Sequence, residues 1–282
     1  MSALNILEEI VSYKKEEIKM RKKISPLHLL EKQEGFNRQI FSMKKFISDP
    51  EKTGIIAEFK RRSPSKGIIN NTSLVELVTG AYARLGASMI SVLTDAISFG
   101  GSTEDLQRAR LNNLPILRKD FILDTYQLAE SRAMGADVIL LIAACLQPAE
   151  TRTLAAAAHQ LGLEVLLEIH EEKELDHLND DVDVVGINNR DLKTFTVDID
   201  RSIRLAERLP QNKLRIAESG IRDIETILRL KAAGFNGFLI GEQFMKTVDP
   251  AMAFSSFIDQ LKTKLYESKS LRNDATRSGK EA

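Results

Sequence analysis

The sequence predicts an α/β fold, a single (β/α)8 barrel with an N-terminal helical extension. Eight short apolar runs follow one another along the chain, separated by amphipathic stretches of helical period. The runs are rich in Val, Ile and Leu and lack polar alternation, as is typical of parallel strands covered on both faces. The length of 282 residues accommodates one such barrel, which commonly takes about 250 residues. A doubly wound open sheet is the alternative, because it has the same alternation of strand and helix.

Residues 1–48 form the predicted extension. Apolar residues in its first part recur at helical spacing with charges between them, at Leu7, Ile10, Val11 and Ile18. A second helical stretch runs from Phe36 to Ile47 and stops at Asp49-Pro50, because proline does not continue a helix. Neither stretch resembles the repeating pattern that follows, so we expect both to pack on the barrel as an addition to it.

The barrel is predicted for residues 49–265, where the apolar runs mark the strands. These runs are Ile55–Phe59, Met89–Leu93, Ile116–Leu117, Val138–Ala143, Val165–Ile169, Val184–Ile187, Leu214–Ala217 and Gly237–Ile240. A strand and a helix recur about every 20–35 residues, and the repetition predicts closure into a barrel. After Leu265 the chain becomes polar, and we expect residues 266–282 to form a disordered tail.

Helix start and stop signals lie between the runs. Capping-box spacing occurs at Ser73 with Glu76 and at Asp124 with Gln127, and Pro148 suits a first helical position. Glycines that suit a left-handed helix end precede four of the runs, namely Gly86, Gly135, Gly162 and Gly234. These signals support helices between the predicted strands.

The composition narrows the classes of partner. Lys and Arg total 40 residues and balance 40 Asp and Glu, so no global field attracts nucleic acid or an anionic membrane. No apolar stretch approaches the roughly 18 residues of a membrane helix, and the N-terminus lacks the pattern of a signal peptide. The single cysteine, Cys145, lies in an apolar run and excludes an intrachain disulfide, which fits a reducing compartment. We expect a cytoplasmic monomer or weak dimer that binds neither nucleic acid nor membrane.

Charged residues at the ends of the runs are the first candidates for a functional site, since such barrels carry out catalysis at the C-terminal ends of their strands. Glu58 and Lys60 have the parity of Ile56, so all three point to one face of the first strand. Lys119 likewise shares a face with Leu117 in the third strand. If that face is the interior, acids and bases enter the barrel mouth together.

Glu168 is the most specific of these signals. It interrupts the apolar sequence Leu166-Leu167-Glu168-Ile169 in the fifth strand. A carboxylate in such a run is costly unless it is solvated, paired or used in function. By contrast, Arg118-Lys119-Asp120 would be commonplace as a surface turn.

The last three strands end in groups that suit an anion. The sixth is followed by Asn188-Asn189-Arg190, the seventh by Glu218-Ser219-Gly220 and the eighth by Gly241-Glu242. Glycines there let backbone N–H groups approach an anion closely, and barrels often hold phosphate after strands seven and eight. The predicted partner is therefore a small phosphorylated substrate.

Other ligand classes lack their sequence signatures. The histidines, His28, His159, His170 and His177, have no metal-ligand spacing, so no metal site is expected. No glycine-rich dinucleotide loop or Walker sequence follows a strand, so we expect no cofactor. The basic segment Lys60–Gly67 lacks the interleaved aromatic residues of a nucleic-acid site and suits a small anion or a solvated loop.

The ordered motifs at the strand ends resemble those of the indole-3-glycerol phosphate synthase family of tryptophan biosynthesis. The similarity extends from the N-terminal helix to about Leu265. It rests on Glu58-Phe59-Lys60, Ser63-Pro64-Ser65-Lys66-Gly67, Pro115–Phe121, Leu167–His170, Gly186–Leu192, Glu218–Ile221 and Leu239–Glu242. One departure is Gln243-Phe244-Met245, where the family more often has Ser-Leu-Met, and it puts a side-chain contribution to the phosphate site in doubt.

The resemblance implies conversion of 1-(2-carboxyphenylamino)-1-deoxyribulose 5-phosphate into indole-3-glycerol phosphate, with loss of CO2 and water and without a metal or redox cofactor. Ring closure needs a proton for the substrate ketone, and we assign this role to Lys119, with Lys60 near the substrate carboxylate and phosphate. Glu168 is the expected base of dehydration, and Glu58 is expected to orient a lysine. The expected binding residues are Ser63, Phe121, Asn188, Arg190 and Glu218, with Ser219, Gly220, Gly241 and Glu242 at the phosphate.

Burial and a second ammonium in the same pocket both disfavour a charged lysine. We therefore expect the pKa of Lys119 to lie below its reference value of about 10.4. A lysine with a lowered pKa would be a better acid at neutral pH.

Three alternatives remain open at this point. A ketose-forming isomerase could use the same barrel, although such enzymes employ a carboxylate pair or a carboxylate and a cysteine, not two lysines. A class I aldolase would form a Schiff base on Lys60 or Lys119. A binding protein would use the basic loop Lys60–Lys66 and show salt-sensitive binding of nucleic acid.

Overall fold

The chain forms a closed barrel of eight parallel strands, which confirms the predicted TIM barrel and rules out the open sheet. The computed structural model describes residues 6–191 and 194–278, with side chains through residue 267. The barrel strands are β1 Ile55–Phe59, β2 Met89–Leu93, β3 Ile116–Lys119, β4 Val138–Ile142, β5 Glu164–Ile169, β6 Val184–Asn188, β7 Leu214–Glu218 and β8 Gly237–Ile240. Strand β1 pairs with β2 on one side and with β8 on the other, so the sheet has no edge.

Helices precede the barrel and connect its strands. They are α1 Ile6–Ile24, α2 Leu27–Leu30, α3 Met43–Ser48, α4 Val75–Leu85, α5 Ala96–Phe99, α6 Thr103–Ala109, α7 Thr125–Met134, α8 Pro148–Gln160, α9 Ile199–Ala206, α10 Ile224–Ala232, α11 Glu242–Met245 and α12 Pro250–Ser278. After β5 the connection is the 3-10 helix Glu172–His177 instead of an α-helix. Across the described ranges, none of the helices is long and apolar enough to cross a membrane.

Alternate strand residues divide the core into two layers. Ile56 and Leu117 belong to the cluster inside the barrel, whereas Ile55 and Phe59 belong to the layer between the sheet and the helices. Side chains of a strand alternate between its two faces. The predicted parity is confirmed, because residues two positions after Ile56 and Leu117 point into the barrel mouth.

Most predicted helix signals are confirmed. Asp124 caps α7 and forms a capping box with Gln127, and Pro148 is the first residue of α8. The four glycines expected at helix ends, Gly86, Gly135, Gly162 and Gly234, have positive φ. This conformation turns the chain from each helix toward the next strand.

The capping box predicted at Ser73 and Glu76 is wrong. The N-cap of α4 is Leu74, and no side chain caps this helix end. Asn70 explains the difference, because its Oδ1 accepts hydrogen bonds from the backbone N–H groups of Thr72 and Ser73. The turn before the helix is therefore closed by an asparagine side chain.

The second helical stretch predicted in the extension is also wrong over its middle. A 3-10 helix spans Glu34–Asn37, and an extended segment separates it from α3. In that segment the Arg38 guanidinium lies 2.8 Å from Asp137 and donates to the carbonyl oxygens of Gly135 and Ala136. These tertiary bonds outweigh the local helical pattern.

The last helix continues beyond the boundary predicted for it. Helix α12 ends at Ser278, so most of the segment 266–282 that was expected to be disordered is helical, and residues 279–282 lie outside the described residues. Glu, Lys, Leu, Arg and Ala favour helix, and extending a helix already packed through Leu261 avoids the cost of a new nucleus.

Candidate active site

An open cavity lies at the C-terminal ends of the barrel strands, and every predicted site residue lines it. These residues are Glu58, Lys60, Ser63, Lys119, Phe121, Glu168, Asn188, Arg190, Glu218, Ser219, Gly220, Gly241 and Glu242. They come from β1, β3, β5, β6, β7 and β8 and from the segments that follow these strands. The barrel thus brings together residues that are up to 184 positions apart, from 58 to 242.

Lys119 occupies the centre of the charged groups. Its Nζ lies 2.8 Å from Oε2 of Glu168 and 3.3 Å from Oε2 of Glu218. The two carboxylates are almost fully buried, and three strands supply this arrangement, β3, β5 and β7. The ammonium can donate a proton and the carboxylates can accept one, so a single bound ligand could contact both an acid and a base here.

Lys60 forms a second pair with Glu58. The Lys60 Nζ lies 2.7 Å from Oε1 of Glu58. Gly241 of the neighbouring strand end makes room for that carboxylate, because a Cβ there would lie 2.6 Å from the same oxygen. Position 241 therefore requires a glycine for the space it leaves to Glu58, in addition to the close approach of an anion that the sequence predicted.

The end of β6 connects the charged centre with the outer part of the cavity. Asn188 donates from Nδ2 to Oε1 of Glu168 at 3.3 Å, and its Oδ1 accepts from the Arg190 backbone N–H at 3.0 Å. The Arg190 guanidinium lies 3.8 Å from Glu242. The arginine is thereby held near the ends of β7 and β8.

The expected lowering of the Lys119 pKa is wrong. Burial alone would lower the pKa of Lys119, but nearby carboxylates outweigh burial and raise it above the ordinary lysine value. Those carboxylates belong to Glu168, Glu218 and Glu58. The charge of Lys60, which was expected to act on Lys119, is engaged by Glu58.

The two carboxylates that share Lys119 have opposite pKa shifts. Burial would raise the pKa of Glu168, but the charge of Lys119 lowers it below the ordinary value. Burial raises the pKa of Glu218; the charge of Lys119 at 3.3 Å opposes this rise without cancelling it, and repulsion by Glu168 raises the pKa further. Glu168 is therefore the ionised member, and Glu218 is the more readily protonated one.

The turn after β7 has the backbone of an anion site. Ser219 and Gly220 have φ of 68° and 70°, both in the left-handed region. Among the turn and loop bonds of the described residues, the backbone N–H groups of Gly220 and Ile221 donate to no other residue. Successive N–H groups in such a turn form a concave site for an anion.

An apolar wall faces the charged groups. Helix α1 contributes Ile6, Leu7 and Ile10 to the cavity. The rings of Phe99 and Phe121 lie with their centroids 6.2 Å apart at the same opening. One side of the cavity is therefore suited to a flat apolar group.

The chain matches the family model described as "Indole-3-glycerol phosphate synthase" over residues 7–257. It is 48% identical to the indole-3-glycerol phosphate synthase of Bacteroides thetaiotaomicron over 257 residues, which cover 90% of this chain and 98% of that protein. The synthase of Salinibacter ruber is 42% identical, with 89% and 94% covered.

The chain belongs to the indole-3-glycerol phosphate synthase family. This membership confirms the family and the carbon–carbon lyase class predicted from the sequence. The motif residue Leu192 lies outside the described residues.

Solved structures of other barrels share the fold of this synthase-family chain. The tryptophan synthase α subunit of Legionella pneumophila superposes with a TM-score of 0.59 and 12% identity, over 78% of this chain and 97% of that one. The 3-hexulose-6-phosphate synthase of Salmonella typhimurium gives 0.57 and 13%, over 74% and 99%. At such identity the likeness concerns the fold alone.

Some residues at the synthase-family site were missed by the sequence reasoning. His170 was considered only as a metal ligand and as part of a motif, yet its Nε2 lies 3.4 Å from Oε1 of Glu168. Phe99 follows β2, whose end was not considered, and the criterion of position after a strand would have found it. The contribution of Ile6 and Ile10 to the cavity could not be found by that criterion, because α1 lies outside the barrel.

Cys145 is not suited to act as a nucleophile. Burial raises the pKa of its thiol to about 12, so the thiolate is disfavoured. Gln243 lines the cavity, and its Oε1 accepts from Lys246 at 2.9 Å. Among the described residues, no cluster of three or more His, Cys, Asp or Glu side chains is arranged to hold a metal ion.

Proposed function

We propose that this chain catalyses ring closure of 1-(2-carboxyphenylamino)-1-deoxyribulose 5-phosphate to indole-3-glycerol phosphate, with Lys119 as general acid and Glu168 as general base. The observation that carries the proposal is the position of the Lys119 ammonium between Glu168 and Glu218 at the barrel mouth. Family membership supports the overall reaction.

The two ends of the substrate match the two sides of the cavity. The apolar wall with Phe121 suits the carboxyphenyl ring, whose burial is favourable. The turn at Ser219 and Gly220, together with Gly241 and Glu242, suits the phosphate through backbone N–H groups. Bound in this orientation, the ketone lies between the ends, where the charged residues converge.

Ring closure is the first chemical step. The ring carbon that bears the carboxylate attacks the ketone carbon, and a C–C bond forms as the C=O π bond breaks. Lys119 donates a proton to the ketone oxygen, so no alkoxide has to accumulate. Loss of CO2 then returns the electron pair of the broken C–C bond to the ring and restores its aromaticity.

Dehydration is the second step, and it needs both a base and an acid. Glu168 removes a proton from the carbon next to the nitrogen, while the hydroxyl leaves as water with a proton from a lysine. Once Lys119 has given up its proton, its charge no longer lowers the pKa of Glu168. The first proton transfer therefore strengthens the base that the second step requires.

Lys60 and Glu58 act beside this centre. Lys60 lies between the charged centre and the basic loop, where it would attract the substrate carboxylate or phosphate, and Glu58 orients its ammonium at 2.7 Å. Asn188 holds Glu168 through its side-chain amide. Ser63 and Arg190 would contact the polar parts of the substrate.

The test is to incubate the protein with this substrate and follow indole fluorescence. The chain contains no tryptophan, so product emission arises on a background free of protein indole. Lys22→Met is a matched control, because Lys22 pairs with Asp124 outside the cavity. Absence of indole at high protein concentration would defeat the proposal.

A further inference from the structure

The chain adopts an unfavourable conformation directly after Glu218. Ser219 has φ of 68° and is one of two described residues other than glycine with positive φ. A side chain makes this region unfavourable for L-residues. Such a conformation persists only where neighbouring contacts enforce it.

The neighbouring contact comes from Asn189, which follows β6. This residue is fully buried, and its Nδ2 donates to the carbonyl oxygen of Ser219 at 2.7 Å. Its side-chain Oδ1 has no hydrogen-bond partner among the described residues. The single side-chain bond of a buried amide is therefore directed at the strained residue.

The backbone of Asn189 is fixed on both sides. Its N–H donates to the carbonyl oxygen of Glu218 at 2.8 Å, and its carbonyl oxygen accepts from the N–H of Asp198 at 2.9 Å. The amide that reaches Ser219 thus extends from a rigid base. Gly220 is constrained as well, because a Cβ there would overlap the side chain of Val197.

We propose that Asn189 is a positioning residue that holds the Ser219–Gly220 turn in the conformation that binds the anionic end of the substrate. The carbonyl oxygen of Ser219 is held by the side-chain amide of Asn189. The N–H groups of Gly220 and Ile221 have no acceptor among the turn and loop bonds of the described residues, and both residues line the cavity mouth. The inference rests on the proposed function for the identity of the anion as the substrate phosphate.

Asn189→Leu removes the donor and keeps the side-chain size. We expect KM for the substrate to rise about tenfold, because a left-handed residue without support costs about that factor in population. We expect kcat to change less than about twofold, since Lys119 and Glu168 are not contacted by Asn189. A matched control is Asn112→Leu, because Asn112 donates to the Ala109 carbonyl oxygen at 2.9 Å outside the cavity.

Rescue by glycine separates this role from general packing. Glycine adopts positive φ without support, so in a Ser219→Gly background the further change Asn189→Leu should alter KM by less than about twofold. An equal loss of affinity in both backgrounds would overturn the inference. A fall in kcat instead of a rise in KM would do the same.

Inorganic phosphate provides a readout that is independent of turnover. The wild-type melting temperature should rise with phosphate relative to chloride of equal ionic strength, and Asn189→Leu should reduce that rise. Unchanged stabilisation in the variant, or none in the wild type, would contradict the inference. Stabilisation by phosphate without indole formation would sink the proposed reaction and leave the turn as an anion site.

Discussion

The charge of Lys119 depends on the carboxylates around it. Its side chain is 16% exposed and so only partly buried, and burial opposes the charge, but Glu168 and Glu218 more than compensate. We therefore expect Lys119 to remain protonated until the attack on the ketone creates an oxygen that is basic enough to accept its proton. The carboxylates of Glu168 and Glu218, and not a second lysine, are therefore the charges nearest to Lys119.

Replacement of Lys119 by Met is expected to lower turnover by about 10²-fold or more, as loss of a general acid does. Binding of the product should change much less, because the contacts to the phosphate and the ring remain. Steady-state indole formation and product titration measure the two effects. Near-normal turnover would transfer the acid role to Lys60.

At the scale of elements, α1 is anchored by a buried lysine. Lys14 is 1% exposed, and its Nζ lies 2.9 Å from Asp95 and 3.0 Å from Asp120. Asp95 follows β2 and caps α5, while Asp120 follows Lys119. The helix that forms the apolar wall is thus attached to the strand ends beside the charged centre.

Replacement of Lys14 by Met is expected to destabilise the protein by about 3–5 kcal/mol, since it leaves buried carboxylates without their cation. The control is Lys22→Met. Lys22 lies on α1, as Lys14 does, but it is exposed and pairs with Asp124, so its loss should lower the unfolding free energy by less than about 1 kcal/mol. Urea unfolding of both variants gives the comparison. An equal decrease in unfolding free energy in both variants would show that the buried ion pairs of Lys14 stabilise the protein no more than an exposed pair does.

The cluster of Lys14, Asp95 and Asp120 also predicts that the unfolding free energy falls at acid pH. Burial would raise the pKa of Asp120, but the charges of Arg118 and Lys14 lower it to about 2. A carboxyl with a depressed pKa stabilises the fold above its unfolded pKa of about 3.9 and loses this contribution as pH falls through the folded value. Asp120 should contribute about 2 kcal/mol at neutral pH.

Unfolding free energies measured between about pH 5 and pH 2 test this prediction. The wild type should lose more stability over the interval than Asp120→Asn, which has no proton to bind at that position. The same decrease in unfolding free energy in both proteins over this pH interval would contradict the prediction.

The sequence predicted some elements better than others for physical reasons. Strands were placed well because buried parallel strands require continuous apolar runs. The helix expected from Phe36 to Ile47 failed because Arg38 satisfies carbonyl groups of another segment. Lys14 lies on the apolar face of α1 with Leu7 and Ile18. A charged residue on that face was a sequence signal that Lys14 is buried and paired with carboxylates.

At the scale of the whole molecule, the barrel separates stability from chemistry. Ile139 lies fully buried between β4 and the helices, whereas the charged residues line the mouth. Ile139→Ala should cost about 2–5 kcal/mol of unfolding free energy and leave kcat almost unchanged below the melting transition. A large fall in kcat with little loss of stability would contradict this separation.

The site could be predicted from the sequence only as a set of residues. Strand parity placed Glu58, Lys60 and Lys119 on one face of their strands, and the interruption of an apolar run singled out Glu168. The position of Lys119 beside Glu168 and Glu218 was not predictable, because these residues lie on three strands that are far apart in the chain. The direction of the Lys119 pKa shift followed from those pairings and was therefore missed.

The most direct test is a single turnover of Glu168→Gln in which CO2 release and indole fluorescence are followed together. Glu218 still lies 3.3 Å from Lys119 in this variant, so ring closure and decarboxylation keep their acid. We predict that CO2 release stays within about tenfold of the wild-type rate while indole formation slows by about 10²-fold or more. Equal slowing of both signals, or indole formation at the wild-type rate, would contradict the assignment of Glu168 as the base of dehydration.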